Sequence, residues 1–231
     1  FRMIGTIEFA TEHKWVGETW DPEHTKSIIE NRLKNKSKTF TGAYIITNQG
    51  IKAPKSQVVV DNFLKPIWEN KKALGKTATE YSSLQKMHQE LSKHRGWGGG
   101  GFMSYEVVTD LNYTSVLEKA TDKMEWANAG PGAVRGLNRI HNRKLEKALK
   151  QDQCNIEMRD LLLFGKENSY IKSVVLKNIN INDIDMRTIE HSLCEWDKYE
   201  RVRLGQGRPR SKYKAESSLF ATNEFKKGTV K

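Results

Sequence analysis

Apolar side chains recur every three to four residues along most of this chain, the spacing of helices that each bury one face. The segments TWDPEHTKSIIENRLKNK, TATEYSSLQKMHQELSKH, FMSYEVVTDL, AVRGLNRIHNRKLEKALKQ and DMRTIEHSLCEWDKYERVRL each predict one helix. SVVLKNININ is the convincing strand-like run, and it is equally compatible with an extended loop. No internal repeat interrupts the pattern, which therefore predicts a mostly α domain.

The predicted helices differ in how clearly their ends are marked. Asp21 before Pro22 is typical of a helix N-terminus, with Asp as the cap and Pro in the first helical position. The apolar face from Tyr81 to Leu91 predicts one uninterrupted helix through the two serines between them. On the last helix, an apolar stripe of Ile189, Leu193 and Trp196 is expected to face the core.

A glycine-rich stretch, HRGWGGGGFMSY, separates two of these helices. It is not a phosphate-binding nucleotide loop, because the required Lys and hydroxyl are replaced by Phe102 and Met103. A dinucleotide fold is excluded because a helix, not a strand, precedes the glycines. Two interpretations remain: a purely structural tight turn, or a helix–hairpin–helix whose backbone amides meet a DNA phosphate while Phe102 and Met103 enter the core. The DNA-facing residues of the second interpretation are Trp97, Gly99, Gly100 and Gly101.

Charge narrows the range of partners. Lys and Arg number 39 against 28 Asp and Glu, a net charge of +11 among 231 residues, which suits a polyanion such as nucleic acid. Cys154 and Cys194 stand far apart without metal-ligand spacing, so we predict no disulfide, metal site or cofactor and a reducing, cytoplasmic location. No apolar run has the length of a membrane span.

Two basic segments carry the nucleic-acid hypothesis. Arg135, Arg139 and Arg143 recur every fourth residue after the turn NAGPG and predict a phosphate-tracking stripe with Asn138 beside it, the alternative being a solvated face. The segment RVRLGQGRPRSKYK predicts a phosphate clamp, the alternative being a flexible tail. Its predicted DNA-binding residues are Arg201, Arg208, Arg210, Lys212 and Tyr213. We expect a single domain over residues 1–216 and a flexible tail over 217–231.

Chemistry-bearing side chains concentrate on the last predicted helix. His191, Glu195 and Lys198 share one face there, with Asp197 on its flank. One interpretation is an ordinary ion pair between Glu195 and Lys198 on a wet surface. The other is a proton-transfer or nucleophile cluster, because a carboxylate, an imidazole and an amine within one turn shift each other's pKa.

Several segments resemble a known family. FTGAYIITNQG, GGGGFMSYEVVTDLNYT, WANAGPGAVRGLNRI and IEHSLCEWDKYERVRLGQGRPRSKY are similar to the helical domain of the 5-hydroxymethyl-deoxyuridine DNA kinases and to the alpha-glutamyl/putrescinyl-thymine pyrophosphorylases. The resemblance spans Phe1 to about Tyr213, with the family's N-terminal segment expected to be absent. It implies a mostly α, helix-hairpin-helix DNA glycosylase-like fold. It also gives weight to His191, Glu195, Asp197 and Lys198 as catalytic residues.

The resemblance leaves the catalytic acid to be assigned. Glycosylases of this fold place a Lys on the second hairpin helix and an Asp in a following turn, whereas this chain has no Lys there and offers Asn128 in WANAGPG. Either the acid is one of Asp110, Glu195 and Asp197, or the chemistry differs from that of these glycosylases.

Together with the basic segments, the resemblance implies an enzyme that acts on double-stranded DNA. It would act on a hydroxymethylated or hypermodified pyrimidine flipped from the stack, by base excision, in a bacterial or phage-infected cell. One alternative is a transferase that displaces pyrophosphate from a phosphorylated hydroxymethyl base and installs an amine or amino acid. The other is a non-catalytic DNA-binding module.

Overall fold

The computed structural model describes residues 2–14, 17–42, 45–175 and 179–207, and these are mostly helical. The mostly α prediction is thereby confirmed. The α-helices within these residues are α1 Ile7–His13, α2 Pro22–Lys34, α3 Lys55–Gln57, α4 Lys65–Glu69, α5 Lys71–Tyr81, α6 Leu84–Ser92, α7 Phe102–Leu111, α8 Pro131–Ile140, α9 Gln151–Glu167 and α10 Met186–Arg203. None of these helices is long and apolar enough to cross a membrane.

Three short helical segments of other types also occur in the described residues, which contain no strand. A π-helix, Val58–Leu64, joins α3 to α4, a second one covers Ile171–Val175, and a 3₁₀ turn covers Ile181–Asp183. The segment SVVLKNININ covers residues 173–182, and residues 176–178 of it lie outside the described residues. In the rest of the segment the prediction of a strand is wrong. The Asn180 side chain accepts a hydrogen bond from the Asn182 N–H at 3.0 Å, which favours a local turn over a strand.

The helix predicted across both serines is instead two helices. Ser82 adopts a left-handed conformation with φ 44°, and the Ser83 hydroxyl caps α6 by accepting from the Lys86 N–H. The Asp122 carboxylate adds further capping, because it accepts from the backbone N–H groups of Leu84 at 2.8 Å and Gln85 at 3.0 Å. A distant carboxylate thus creates a helix start that the apolar spacing conceals.

The helix predicted over AVRGLNRIHNRKLEKALKQ is also interrupted. It ends at Ile140, and Asn142 then adopts a left-handed conformation with φ 49°. The Asn138 amide donates to the carbonyl oxygens of Leu145 at 3.1 Å and Lys147 at 2.9 Å, so it holds the following segment as a loop. The next helix, α9, begins only at Gln151.

The buried apolar side chains form two clusters. One joins the N-terminal helices to the glycine-rich region and includes Ile29, Phe63 and Trp97. The other lies among α5 to α10 and includes Leu137 and Met158. Ile67 and Val107 pack against both clusters, so the two are continuous.

The close packing of α8 on α10 depends on two glycines. A Cβ on Gly136 would lie 2.9 Å from the carbonyl oxygen of Leu193, and one on Gly132 would lie 2.9 Å from the Cys194 Sγ. These are distances that real Cβ atoms do not tolerate, so the two glycines let the helix backbones approach. The contact places Arg135 and Arg139 of α8 against α10.

Candidate nucleic-acid interface

The face of α10 expected to carry chemistry lies on the surface. His191, Glu195 and Lys198 are all exposed, and the Lys198 ammonium contacts the Glu195 carboxylate at 2.5 Å. This is the ordinary ion pair that the sequence offered as one interpretation. No metal-holding group of three or more His, Cys, Asp or Glu side chains occurs in the part of the chain that the structure describes.

Asp110 pairs with Arg2 rather than with His191, Glu195 or Lys198. Its carboxylate accepts two hydrogen bonds from the Arg2 guanidinium, each at 2.6 Å, and is half-exposed. The structure therefore does not bring the five predicted catalytic residues together.

Asp197 differs from the exposed Glu195 and Lys198 because its side chain is completely buried. Its side chain is 0% exposed and receives three guanidinium groups. The Nε atoms of Arg135, Arg139 and Arg201 lie 2.8, 3.0 and 3.1 Å from its two oxygens. We call these four residues the arginine triad and its hub. An isolated buried carboxylate is costly, so the three cations account for its presence there.

The arginine triad carries more positive charge than its hub neutralises. Three guanidinium groups against one carboxylate leave a net charge of +2, and the neighbouring Glu200–Arg203 pair adds nothing. The Arg139 Nη2 donates to the Gln206 Oε1 at 2.8 Å, whereas Arg135 and Arg201 remain partly exposed. The triad therefore holds positive charge that Asp197 does not neutralise, part of it on partly exposed side chains.

One of the five predicted clamp residues lies within the described part of the chain. Arg201 belongs to the triad, and the description ends at Gly207. Arg208, Arg210, Lys212 and Tyr213 lie outside the described residues, as does the tail expected over 217–231.

The expected stripe of three arginines on α8 is corrected by the structure. Arg143 lies beyond the helix end and pairs at 2.5 Å with Glu157 of α9. Hydrogen bonds from Arg143 and Gln153 outweigh burial and lower the pKa of Glu157. Asn138 is fully buried and holds the loop, so it is structural rather than DNA-facing. The loop itself borders an open cleft of about 500 Å³ lined by Arg143, Lys144, Glu146 and Lys147.

The first of two glycine-rich turns, residues 96–101, connects α6 to α7. Trp97 is 5% exposed and its indole N–H donates to the Phe63 carbonyl oxygen at 2.8 Å, so it lies in the core and not on a DNA-facing surface. Gly96 has φ +89°, and a Cβ on it would lie 2.4 Å from the Phe63 ring. The turn is therefore packed tightly against the N-terminal core.

The start of α7 is held by a contact with His88 of α6. Gly101 is the N-cap residue with φ 71°, and its carbonyl oxygen lies 3.1 Å from the His88 Nε2. Met103 enters the core as expected, but Phe102 is 51% exposed, which corrects the expectation that both do. Gly99 and Gly100 are exposed, as a DNA-facing turn requires, whereas Gly101 is buried, which corrects its prediction as a DNA-facing residue.

The second glycine-rich turn, residues 127–132, lies directly beside the first. The Asn128 amide donates to the Gly100 carbonyl oxygen at 3.2 Å. From α9, the Gln151 side chain bonds both the N–H and the carbonyl of Ala129 at 2.9 Å, and Asn155 accepts from the Ala127 N–H at 2.9 Å. The N-termini of α7 and α8 therefore begin at adjoining, rigidly held turns.

A row of alternating charges lies behind the second turn and was missed by the sequence analysis. Asp110, Arg2, Glu106, Arg187 and Glu190 are linked in that order, with separations of 2.6, 3.0, 2.8 and 3.3 Å. Glu106 and Glu190 are both buried. The signal was a lone Glu106 in the apolar FMSYEVV and the i,i+3 spacing of Arg187 and Glu190.

Glu190 is the member of this row that reaches the second turn. Its Oε1 lies 3.4 Å from the Gly130 N–H nitrogen and 3.3 Å from the Cys194 Sγ. Burial raises the pKa of Glu190 in spite of the nearby Arg187 charge. Burial and the charge of Glu190 raise the pKa of the Cys194 thiol to about 12, so Cys194 is not an activated nucleophile.

Comparison with known families gives one match that covers most of the chain. The model described as 5-hmdU DNA kinase, helical domain, matches residues 1–208. The chain belongs to this family. No curated protein and no solved structure gives a match.

Family membership confirms the resemblance found in the sequence and places the chain among domains of DNA-modifying enzymes. The family description concerns 5-hydroxymethyl-deoxyuridine in DNA, which agrees with a hydroxymethylated pyrimidine as the expected base. It gives a DNA context to the arginine triad and to the two adjoining turns. The helix-hairpin-helix glycosylase-like fold remains a prediction from the sequence.

Proposed function

We propose that this chain binds duplex DNA containing 5-hydroxymethyluracil and is the DNA-gripping domain of an enzyme that modifies this base. The arginine triad carries the proposal. Its net charge of +2 is preformed around a buried carboxylate, so little side-chain order has to be gained when a phosphate arrives.

Two further features support DNA as the anion. The chain has a net charge of +11, which favours a long polyanion over a small one. The exposed glycines of the first turn, Gly99 and Gly100, let a DNA strand approach the backbone closely. Family membership supports hydroxymethyluracil as the base.

The geometry gives more support to binding than to base excision. Excision needs a carboxylate near the flipped sugar to stabilise developing positive charge. Glu195 is exposed and paired with Lys198, and Asp197 is enclosed by the arginine triad. Excision and group transfer therefore stay predictions from the resemblance, with Asp110 and the buried Glu190, both in the row of alternating charges, as the remaining carboxylates.

The test is to measure binding to two duplexes that differ only in one hydroxymethyluracil or thymine. We expect salt-dependent binding to both and tighter binding to the modified duplex. Equal affinities at every salt concentration would remove the modified base from the proposal, and salt-independent or absent binding would remove DNA.

The same duplexes distinguish the possible reactions after incubation with the protein. Strand breaks at the modified base after alkali indicate excision, and a mass increase on the base indicates group transfer. Tight binding without either product indicates the non-catalytic module.

A further inference from the structure

A cleft of about 150 Å³ lies between the first glycine-rich turn and the extended segment 45–49. Its volume equals that of about five water molecules at about 30 Å³ each, the scale of one nucleobase and far below that of a nucleotide triphosphate. None of the predicted catalytic residues lines it.

The wall of this cleft combines apolar and polar groups. Phe102 and Ile45 line it and are 51% and 62% exposed, although both are large apolar side chains. Thr47 and Gln49 line the same cleft and supply hydrogen-bonding groups. The cleft therefore offers both an aromatic ring for stacking and polar groups for hydrogen bonds.

The glycines give the cleft a fixed floor. A Cβ on Gly98 would lie 2.6 Å from the Ser92 carbonyl oxygen, so the turn is pressed against the end of α6 at that point. A Cβ on Gly100 would meet nothing within 4 Å, because Gly100 borders open space. The cleft therefore exposes backbone atoms that a larger residue would cover.

A cation lies at the edge of the cleft. Arg95 is exposed and its Nη2 donates to the Gln49 carbonyl oxygen at 2.8 Å. The guanidinium is thus held next to one lining residue, where a charged backbone would pass if a nucleotide entered the cleft.

We propose that this cleft receives the flipped 5-hydroxymethyluracil base, an inference that rests on the proposed function. The base stacks on Phe102, its polar edge meets the backbone of Gly98 and Gly100, and its hydroxymethyl group meets Thr47 or Gln49. Enzymes that flip bases read them in this way, by stacking and by edge hydrogen bonds. Arg95 contacts a phosphate beside the flipped nucleotide.

Two variants test the cleft, each with a matched control. Phe102→Ala removes the stacking ring, and Phe164→Ala removes an exposed ring of α9 as its control. Gly100→Leu fills the cleft from a position with free space, and Gly75→Leu adds the same side chain at an equally unobstructed position of α5. Because a Cβ on Gly100 meets nothing within 4 Å, Gly100→Leu keeps the inference testable even if Phe102→Ala disturbs the start of α7.

The measurements are affinity for the two matched duplexes and the fluorescence of 2-aminopurine paired with the hydroxymethyluracil, which brightens when its partner leaves the helix. Phe102→Ala is expected to weaken binding of the modified duplex about 5- to 150-fold and to remove the fluorescence increase. Gly100→Leu is expected to act in the same direction, and both controls are expected to behave as the unmodified protein.

The outcomes separate this inference from the proposed function. If Phe102→Ala and Gly100→Leu keep both the preference for the modified duplex and the fluorescence increase, the base does not enter this cleft and the proposed function stands. If the unmodified protein shows no salt-dependent binding to either duplex, the proposed function fails and this inference fails with it.

Discussion

At the scale of single residues, two carboxylates of α10 differ in their surroundings because they lie on different faces of the helix. Glu195 is exposed and pairs with one exposed Lys198, whereas Asp197, two residues later, is fully buried under three arginines. Exposed ion pairs contribute little to stability because water screens them. A buried carboxylate with three partners makes the surrounding structure depend on its charge.

Replacing Asp197 should therefore lower the stability of the fold. Asp197→Asn leaves three guanidinium groups without their shared carboxylate, and we expect a loss of about 3–5 kcal/mol in the free energy of unfolding. Urea denaturation measures it. Glu195→Gln on the same helix is the control, with an expected change within about 0.5 kcal/mol. Similar losses in both variants would show that Asp197 is not a structural hub.

Glu190 predicts a pH dependence with a definite sign. Because burial raises its pKa in the folded chain, the folded chain binds the proton more tightly than the unfolded chain. That stabilisation is full below the ordinary pKa of 4.5 and is lost as pH rises through the folded-state pKa.

Glu190→Gln mimics the protonated side chain and lacks this titration. We expect the stability of the variant relative to the unmodified protein to increase as pH rises from about 4 to about 7. Thermal or urea unfolding at several pH values measures the difference. A difference that stays constant, or that falls with rising pH, would show that burial does not govern this carboxyl.

At the scale of elements, the contact between α8 and α10 positions the arginine triad. Arg135 and Arg139 extend from α8, and Asp197 and Arg201 belong to α10. Gly136 lets the two backbones come close enough for these side chains to meet. The geometry of the arginine triad is therefore a consequence of helix packing.

A methyl group added at Gly136 tests whether stability depends on the close approach of α8 and α10. Gly136→Ala places a Cβ 2.9 Å from a backbone oxygen of α10, and we expect destabilisation of about 1–3 kcal/mol from overpacking. Gly75→Ala in α5 is the matched control, since its Cβ meets nothing within 4 Å and Ala favours the helix by up to about 1 kcal/mol. Destabilisation of both variants by the same amount would refute close packing as the cause.

The same elements show what the sequence predicts and what it leaves open. The start of α2 at Asp21 and the extent of α10 were predicted, because their signals are local. The breaks after Tyr81 and Ile140 were not predicted, because they depend on contacts with Asp122 and on the loop that Asn138 holds. Apolar spacing continues across both breaks, so spacing alone could not reveal them.

At the scale of the whole molecule, composition predicted a basic surface but not its organisation. Arg135 and Arg139 were identified by spacing, yet their shared carboxylate Asp197 was read as a catalytic group. The buried row through Glu106 and Glu190 was missed, because its partners come from three separate parts of the chain. Charge pairing across helices requires the fold to be known first.

The dependence of DNA affinity on salt tests the central claim most directly. Each phosphate contact that is lost lowers the slope of log affinity against log salt by about one unit. The double variant Arg135→Ala, Arg201→Ala removes two cations of the arginine triad and leaves Asp197 paired with Arg139, so the fold should persist. Lys76→Ala, an exposed cation of α5, is the control. We predict that the double variant binds duplex DNA more weakly, with a slope lower by about two units, and that the control keeps its slope. An unchanged slope in the double variant would contradict the assignment of the arginine triad as a DNA phosphate site.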